Sequence, residues 1–175
     1  MELKGSKTEK NLELAFAGES QAFVKYRYYA FCARKDGYEK IAAVFNETAD
    51  NEFEHAKIWF KLLNGSETKT LVNLKDAAYG EHYEGTDMYL KFAEVAKQEG
   101  FDDVAKLFEE VGQIERNHEQ TYNGFAEQIS DGKVFSADGE VAWLCRNCGH
   151  IHFGSEAPKQ CPVCSHPQAF FQRRD

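Results

Sequence analysis

The sequence predicts a mainly α-helical fold, a four-helix bundle followed by a small metal-binding β domain. Long segments with apolar residues at helical spacing fill the first 138 residues, and the pattern then changes to short segments broken by Gly, Pro and Cys. Formal charge changes at the same place, because residues 1–138 hold 17 basic against 26 acidic side chains and residues 139–175 hold 4 against 3. The predicted domains are therefore 1–138 and 139–175.

Stop signals place the four helices of the bundle. The first is predicted over residues 6–34, the second ends near 64, the third runs from about 76 to 98 and the fourth from about 102 to 130. Residues 64–76 are too many for a tight turn and predict a crossover connection. Packing in a bundle is the simplest way for four such helices to bury their apolar stripes.

Seven polar side chains lie within these apolar stripes, where the bundle core should be. They are Glu19 on the first helix, Glu52 and His55 on the second, Glu81 and Glu84 on the third, and Glu115 and His118 on the fourth. Residues three apart on a helix are neighbours, so each pair can converge on one point. The layout repeats, because a Glu is followed by Glu-x-x-His after 33 residues in the first helix pair and after 34 in the second.

Five carboxylates in one core repel each other and lose their hydration, which is prohibitive without compensation. Two iron or manganese ions remove this problem, because carboxylates and imidazoles suit these metals. One Glu from each of two helices with Glu-x-x-His from two others is a di-metal carboxylate arrangement. Glu84 exceeds what a symmetric centre requires. It is either a ligand that exchanges with a histidine or an ordinary surface acid.

The C-terminal segment carries Cys145-x-x-Cys148 and Cys161-x-x-Cys164 with 12 residues between the two pairs. In a reducing compartment this pattern predicts a tetrahedral four-thiolate metal site rather than disulfides. About 37 residues cannot build a sufficient apolar core, so a metal is expected to hold the domain together. The spacing alone leaves zinc and iron open. A redox centre in the bundle favours iron, because such a centre needs an electron supply.

Apolar residues around the cysteines predict two short strands, one at Val141 and Trp143 and one at Ile151 and Phe153. An apolar shell that limits water at the metal is predicted from four aromatic residues, Trp143, Phe153, Phe170 and Phe171. The fifth cysteine, Cys32, is interpreted as a packing residue of the first helix rather than as a peroxide-sensing thiol.

Composition excludes several classes of protein. A formal net charge of −8 disfavours binding to nucleic acid or anionic lipid, since phosphate affinity comes from Lys and Arg. No apolar run approaches the length of a membrane span, and the polar N-terminus shows no signal peptide. A cytoplasmic protein is expected.

Together these motifs resemble those of the rubrerythrins, from about residue 8 to residue 172. The matching elements are Glu19, Glu52-x-x-His55, Glu81-x-x-Glu84, Glu115-x-x-His118, CRNCGHIHFG and CPVCSHP. The resemblance implies a ferritin-like four-helix bundle followed by a rubredoxin-like domain with mononuclear iron. It implies a non-haem peroxidase of oxidative-stress defence that reduces hydrogen peroxide to water. Electrons would come from NAD(P)H through a reductase or rubredoxin and pass through the four-cysteine iron.

The resemblance also implies a homodimer in which one chain's rubredoxin-like domain serves the partner's di-iron site. Residue by residue, Glu52 and Glu115 would bridge the irons. Glu19 and Glu81 would be terminal ligands, with His118 on the iron that Glu81 binds.

Glu84 and His55 would alternate on the other iron as its charge changes. Tyr26 and Tyr89 match tyrosines that hydrogen-bond near the ligands in the family, although both residues also suit an ordinary apolar core.

Three other functions share parts of this pattern. An iron-storage or ferroxidase protein would use the di-iron motif but needs no rubredoxin-like domain. A zinc-ribbon interaction module would leave the buried Glu and His set unexplained. An oxygen reductase shares every part, and only the family resemblance favours peroxide over oxygen.

Overall fold

The computed structural model describes residues 2–65 and 68–174, and the chain forms two compact units, Met1–Thr68 and Lys69–Asp175. The predicted fold class is confirmed in its elements, since four long helical segments precede a small sheet domain that carries four cysteines. Within the described residues, no helix is both long enough and apolar enough to cross a membrane. The predicted domain boundary at residue 138 stays a prediction.

The first unit is a pair of packed helices, α1 (Lys7–Lys35) and α2 (Glu39–Asn64). Ser6 begins α1, because its hydroxyl accepts a hydrogen bond from the Glu9 amide at 3.0 Å. The turn between the helices places Gly37 at a φ of 85°, a left-handed conformation that glycine adopts without strain. Ala30 and Ala42 are fully buried beside this turn. Alanine at this contact allows the two helix backbones to lie close together.

The helices of the second unit repeat this design. One helical segment consists of α3 (Thr70–Tyr83), a π-helical turn (Glu84–Met88) and α4 (Tyr89–Gln98), and α5 (Asp102–Ser130) packs against it. Gly100 has a φ of 83° in the connecting turn, and Ala93 and Ala105 are buried beside it. In both units the residue after the turn glycine donates its amide hydrogen to the carbonyl oxygen of a buried alanine. Tyr38 donates to Ala33 and Phe101 donates to Ala96, each at 2.8 Å.

Two features of the third helical segment differ from the prediction. It begins at Thr70 rather than near residue 76, so five residues separate α2 from α3 and the predicted length of the connection over 64–76 is wrong. Residues 66 and 67 of that connection lie outside the described residues, and the crossover itself stays a prediction. The segment is also not a regular α-helix, because the π turn inserts one extra residue at Glu84–Met88. Periodicity could not show either feature, since the residues at 70–76 are mostly polar and a π turn preserves helical composition.

Two glycines allow the π turn to approach α5. A Cβ on Gly85 would lie 2.9 Å from the Gly112 carbonyl oxygen and 2.9 Å from Cγ of Arg116. A Cβ on Gly112 would lie 3.2 Å from Cβ of Tyr89. Both glycines are buried, so the close contact between the π turn and α5 depends on their missing side chains.

The C-terminal sheet has the strand order β2-β1-β3, with β1 (Ser136–Cys145) antiparallel to both β2 (Ile151–Glu156) and β3 (Phe171–Arg173). The sequence predicted two strands, and the third is a short segment near the C-terminus. Trp143 is 1% exposed and its indole nitrogen donates to the Gly154 carbonyl at 3.0 Å. The small apolar core also contains Phe171, Ala157, Cys145 and Cys161.

The predicted aromatic shell is half wrong. Trp143 and Phe171 are buried, but Phe153 is 65% exposed and Phe170 is 39% exposed. The register explains Phe153, because it pairs with Ala142 while His152 pairs with Trp143, and directly paired residues share one face of a sheet. Phe170 lies in a 3₁₀ turn before β3 and stacks against His166, with ring centroids 4.4 Å apart.

We expect Gly85→Ala to destabilise the protein by about 1–3 kcal/mol, because the added methyl group would meet the backbone of α5. Gly80→Ala is the matched control in the same helical segment, where a Cβ meets nothing within 4 Å. That substitution should instead stabilise the helix by about 0.5–1 kcal/mol. Urea unfolding followed by circular dichroism measures both, and equal stability of the two variants would contradict the close packing.

Candidate metal centres

The first cluster of metal ligands lies on the helices of the first unit. Glu19 on α1 and the pair Glu52 and His55 on α2 place their ligand atoms within 4.8 Å of one another. Nδ1 of His55 lies 2.8 Å from Glu52 Oε2 and 3.9 Å from Glu19 Oε1. Residues 52 and 55 share one face of α2, and the packing of α1 brings Glu19 to that face. The Glu52 side chain is 17% exposed, so the carboxylates are largely sheltered.

The second cluster has nearly the same geometry on the helices of the second unit. Glu81 on α3 meets Glu115 and His118 on α5, again with all ligand atoms within 4.8 Å. Nδ1 of His118 lies 2.8 Å from Glu115 Oε2 and 3.5 Å from Glu81 Oε2. The ligand layout that repeats in the sequence therefore also repeats in three dimensions. Each helix pair carries two carboxylates and one imidazole directed at a single point.

The electrostatics of the second cluster show why it suits a cation. Burial raises the pKa of Glu81, and the adjacent Glu115 raises it further by sharing a hydrogen bond and by charge repulsion. The His118 imidazole opposes this shift, but the pKa stays above its usual value. The two carboxylates therefore disfavour each other's negative charge, and a bound metal ion would relieve this repulsion.

The remaining predicted bundle residues lie outside both three-ligand clusters. Glu84 begins the π turn and is half-buried. Tyr89 begins α4, and burial followed by the charges of Glu84, Glu115 and Glu81 raises the pKa of its phenol. Tyr89 is therefore close to the carboxylates. Tyr26 is half-buried on α1 and packs its ring against Phe45, with centroids 6.2 Å apart.

The four cysteines of the C-terminal domain lie together as predicted. Cys145 and Cys164 have their sulfurs 3.7 Å apart, and so do Cys148 and Cys161. Metal–sulfur bonds of about 2.3 Å in a tetrahedron separate sulfurs by roughly 3.8 Å, so the spacing fits one metal ion.

Two similar turns build this site. The Gly149 amide donates to the Cys145 carbonyl at 2.8 Å, and the Ser165 amide donates to the Cys161 carbonyl at 3.0 Å. Gly149 and Ser165 both have left-handed backbone conformations, with φ of 79° and 59°. Each Cys-x-x-Cys therefore folds into the same tight loop, which directs both sulfurs inward.

The thiols differ strongly in acidity. A hydrogen bond from the His166 amide favours the thiolate of Cys164 and, with contributions from neighbouring side chains, lowers its pKa to about 6. The His150 amide favours the Cys148 thiolate in the same way, but the surrounding cysteines outweigh it and raise the pKa of Cys148 to about 12. Thiolates this close together would repel each other, and a bound metal cation would offset that repulsion.

The donor sets fit iron at both places. Hard carboxylate and imidazole donors in the bundle helices suit a di-iron centre, and four sulfurs at tetrahedral spacing suit a mononuclear iron. The expected iron cofactors are thus supported by the geometry as well as by the motifs.

Sequence reasoning missed the residues that support the second cluster. Arg116, next to the ligand Glu115, donates a short hydrogen bond to the Gly85 carbonyl oxygen of the π turn. His82 on α3 pairs with Glu119 on α5 at 3.1 Å, although Glu119 looked like a surface charge. The difference between the 33-residue and 34-residue ligand spacings was the one signal that pointed to an inserted residue.

Comparisons with known proteins agree with these sites. Residues 10–126 match the family profile described as Rubrerythrin, and residues 143–172 match the profile described as Rubrerythrin, rubredoxin-like domain. The rubrerythrin of Porphyromonas gingivalis is 47% identical over an alignment that covers 97% of this chain and 91% of that protein. The rubrerythrin of Nitratidesulfovibrio vulgaris is 44% identical, with 97% and 95% covered. A solved structure of nigerythrin in a mixed-valence state is 32% identical, covers 98% of this chain and 91% of that chain, and has a TM-score of 0.37.

The raised pKa of Glu81 predicts how pH acts on the protein stripped of metal. A carboxyl whose pKa is higher in the folded than in the unfolded state stabilises the fold below the unfolded pKa, and this contribution is lost as pH rises through the folded pKa. Glu81→Gln removes the titration. The melting temperature of Glu81→Gln minus that of the parent protein should therefore increase from pH 4.5 to pH 7.5.

Melting of chelator-treated protein followed by circular dichroism measures this difference. Glu110→Gln, an exposed substitution on the same helix as Glu115, is the control and should show a much smaller change with pH. A melting-temperature difference for Glu81→Gln that stays constant or falls as pH rises would contradict a raised pKa of Glu81.

Proposed function

Since this chain belongs to the rubrerythrin family, we propose that it is a non-haem di-iron peroxidase that reduces hydrogen peroxide to water. The observation that carries the proposal is the presence of two nearly identical Glu, Glu and His clusters in the same chain as a four-cysteine site. An iron-binding oxidoreductase needs both a place where substrate reacts and a source of electrons, and these two kinds of site can supply them.

The chemistry requires two electrons and two protons for each peroxide. If iron occupies these sites, the bundle ligands would hold two ions able to supply one electron each to peroxide, and the four cysteines would hold an ion able to replace those electrons one at a time. We propose that electrons reach the cysteine site from NAD(P)H through a separate reductase or rubredoxin. The exposure of Cys148 and of Val163, which is 67% exposed between the last two cysteines, supports direct access for such a donor.

In this proposal Glu52 and Glu115 bridge the two metals, while Glu19 and Glu81 each bind one. The short contacts within each cluster support these roles, because each bridging Glu lies 2.8 Å from the histidine of its own helix. His118 serves the metal that Glu81 binds. The carboxylates also hold the negative charge that offsets the metal charge within a poorly hydrated site.

Glu84 and His55 are proposed to alternate on the other iron. An anionic carboxylate favours the ferric ion, whereas a neutral imidazole is adequate for the ferrous ion. The position of Glu84 outside the cluster of its own helix pair is consistent with this role.

Protons are proposed to pass through the residues around the carboxylates. Burial, followed by the charges of Glu84, Glu115 and Glu81, raises the pKa of the Tyr89 phenol, which favours the protonated form that can donate a hydrogen bond. Tyr26 is proposed to act in the equivalent place on α1. Further parts of the proposal are a homodimer, a cytoplasmic location and a role in oxidative-stress defence.

The function can be tested by mixing the anaerobic, fully reduced protein with one equivalent of hydrogen peroxide in a stopped-flow instrument. The di-iron absorption should develop first and the iron–thiolate colour should follow, because electrons reach peroxide from the bundle and are then replaced from the cysteine site. Peroxide should oxidise the protein faster than oxygen does. A preference for oxygen would favour an oxygen reductase, and a colourless oxidised cysteine site would indicate zinc.

Cys161→Ser should leave the first peroxide turnover of the reduced protein intact and reduce steady-state turnover with the physiological donor by at least about tenfold. The reason is that the substitution removes a ligand of the proposed relay iron without touching the bundle. Cys32→Ser on α1 is the matched control and should cycle normally. Normal cycling by Cys161→Ser would show that electrons do not pass through the cysteine site.

A further inference from the structure

The two helix pairs are related by a constant shift of 63 positions in the sequence, with one exception. This shift relates Tyr26 to Tyr89, Gly37 to Gly100, Glu52 to Glu115 and His55 to His118. Glu19 and Glu81 are only 62 positions apart. The second helix pair therefore has one extra residue between its first ligand and its tyrosine, and the π turn Glu84–Met88 lies in this interval.

The π turn keeps the second cluster aligned despite this extra residue. Each residue of an α-helix turns the chain by about 100°, so seven residues from Glu19 to Tyr26 return almost to the same face. Eight residues of uninterrupted α-helix from Glu81 would instead turn Tyr89 about 80° away from the ligand face. Absorbing the extra residue in a wider turn keeps Tyr89 against α5, the helix that carries Glu115, since a Cβ on Gly112 would lie 3.2 Å from Cβ of Tyr89.

A wider turn must be held in place, and Arg116 does this from α5. Its Nη1 donates a short hydrogen bond to the Gly85 carbonyl oxygen, and its Nη2 donates to Oε1 of Gln113 at 2.7 Å. Its Cγ lies against Gly85, where a Cβ would come within 2.9 Å. The guanidinium thus links the backbone of the π turn to the helix that carries Glu115.

The first helix pair has a different contact at the equivalent place. The shift of 63 positions relates Arg116 to Phe53, which packs its ring against Phe23 with centroids 5.7 Å apart. Helix α1 is uninterrupted from Lys7 to Lys35, and the 62-position shift that holds before the π turn relates its Ala22 to Glu84 of the second pair. The first helix pair therefore combines an aromatic contact with a regular helix. The second pair combines an arginine with the π turn and the additional carboxylate, Glu84.

We propose that Arg116 is a positioning residue that fixes the π turn and thereby sets the place of Glu84 and Tyr89 at the metal centre. This inference rests on the proposed function, in which Glu84 is a ligand. Because Arg116 follows Glu115 directly on α5, its contact with the π turn links the position of Glu84 to a helix that carries a metal ligand. The residue makes the two metal positions unequal, since only one helix pair supplies the extra ligand.

The test compares Arg116→Leu, Arg116→Lys and the control Arg27→Leu in the full chain. Arg27 is a fair control because it also joins two helices, through Asn46 at 2.9 Å and through Asp50, but next to a regular helix. Amide hydrogen exchange of metal-free protein is measured by mass spectrometry for peptides that cover residues 84–90. Arg116→Leu should speed exchange there by about tenfold or more, while Arg27→Leu should not change it.

Cobalt(II) binding supplies a second measurement. The ligand-field absorption of cobalt in the bundle should change in Arg116→Leu, because the position of Glu84 is no longer fixed, and should be unchanged in Arg27→Leu. Thiolate-to-cobalt bands from the four-cysteine site report that the chain is folded and should be the same in all variants. Arg116→Lys keeps one donor and should recover a large part of both signals.

Wild-type exchange at residues 84–90 together with a wild-type cobalt spectrum in Arg116→Leu would overturn the proposal. Equal effects from Arg27→Leu would overturn it as well, because they would show a general loss of stability. If Arg116→Leu does not fold, Arg116→Lys tests the proposal instead. A lysine variant with unchanged hydrogen exchange and an unchanged cobalt spectrum would contradict a role for the guanidinium. Failure of the peroxidase assay would not alter the exchange result, so the two proposals can fail separately.

Discussion

Repulsion between facing carboxylates, which the second helix pair shows, is the constraint on which the bundle depends. Glu81 and Glu115 are close enough to raise the pKa of Glu81, and neither is more than 21% exposed. A helix pair tolerates such a contact only if other contacts hold it together. Buried alanines near the turns, among them Ala30 and Ala42, provide that packing and keep the helix backbones close. Tight packing of the alanines near the turn therefore offsets the repulsion between the ligand carboxylates.

Much of this arrangement could be predicted from the sequence, because the ligands come from side-chain types at fixed helical spacing. The six residues Glu19, Glu52, His55, Glu81, Glu115 and His118 lie in the two clusters that the motifs indicated, and the four cysteines form the expected thiolate set. Helix ends were predicted best where glycine has a left-handed conformation, as at Gly37 and Gly100. These signals depend only on neighbouring residues, so they can be recognised in the sequence without knowledge of tertiary contacts.

The features that were missed depend on contacts between distant residues or on polar segments. Residues 70–76, where α3 starts, are mostly polar, and the exposure of Phe153 follows from a strand register that no local pattern determines. No local pattern marks Arg116, because its partner is a backbone carbonyl 31 residues earlier. Helical wheels assume 3.6 residues per turn, so a π turn is invisible to them unless two related segments are compared.

The inserted residue in the π turn also has an evolutionary consequence. Two hairpins that share a turn, a buried alanine contact and a ligand set are what duplication of one ancestral hairpin would leave behind, and the second hairpin differs by the length of one codon. An insertion in a helix ordinarily rotates everything that follows it and would separate a ligand from its partners. Here the helix widens by one residue, so the coordinates of Glu115 and His118 relative to Glu81 are preserved. A gain of a single codon at this point can therefore change the backbone beside Glu84 while Glu81, Glu115 and His118 stay together as one ligand set.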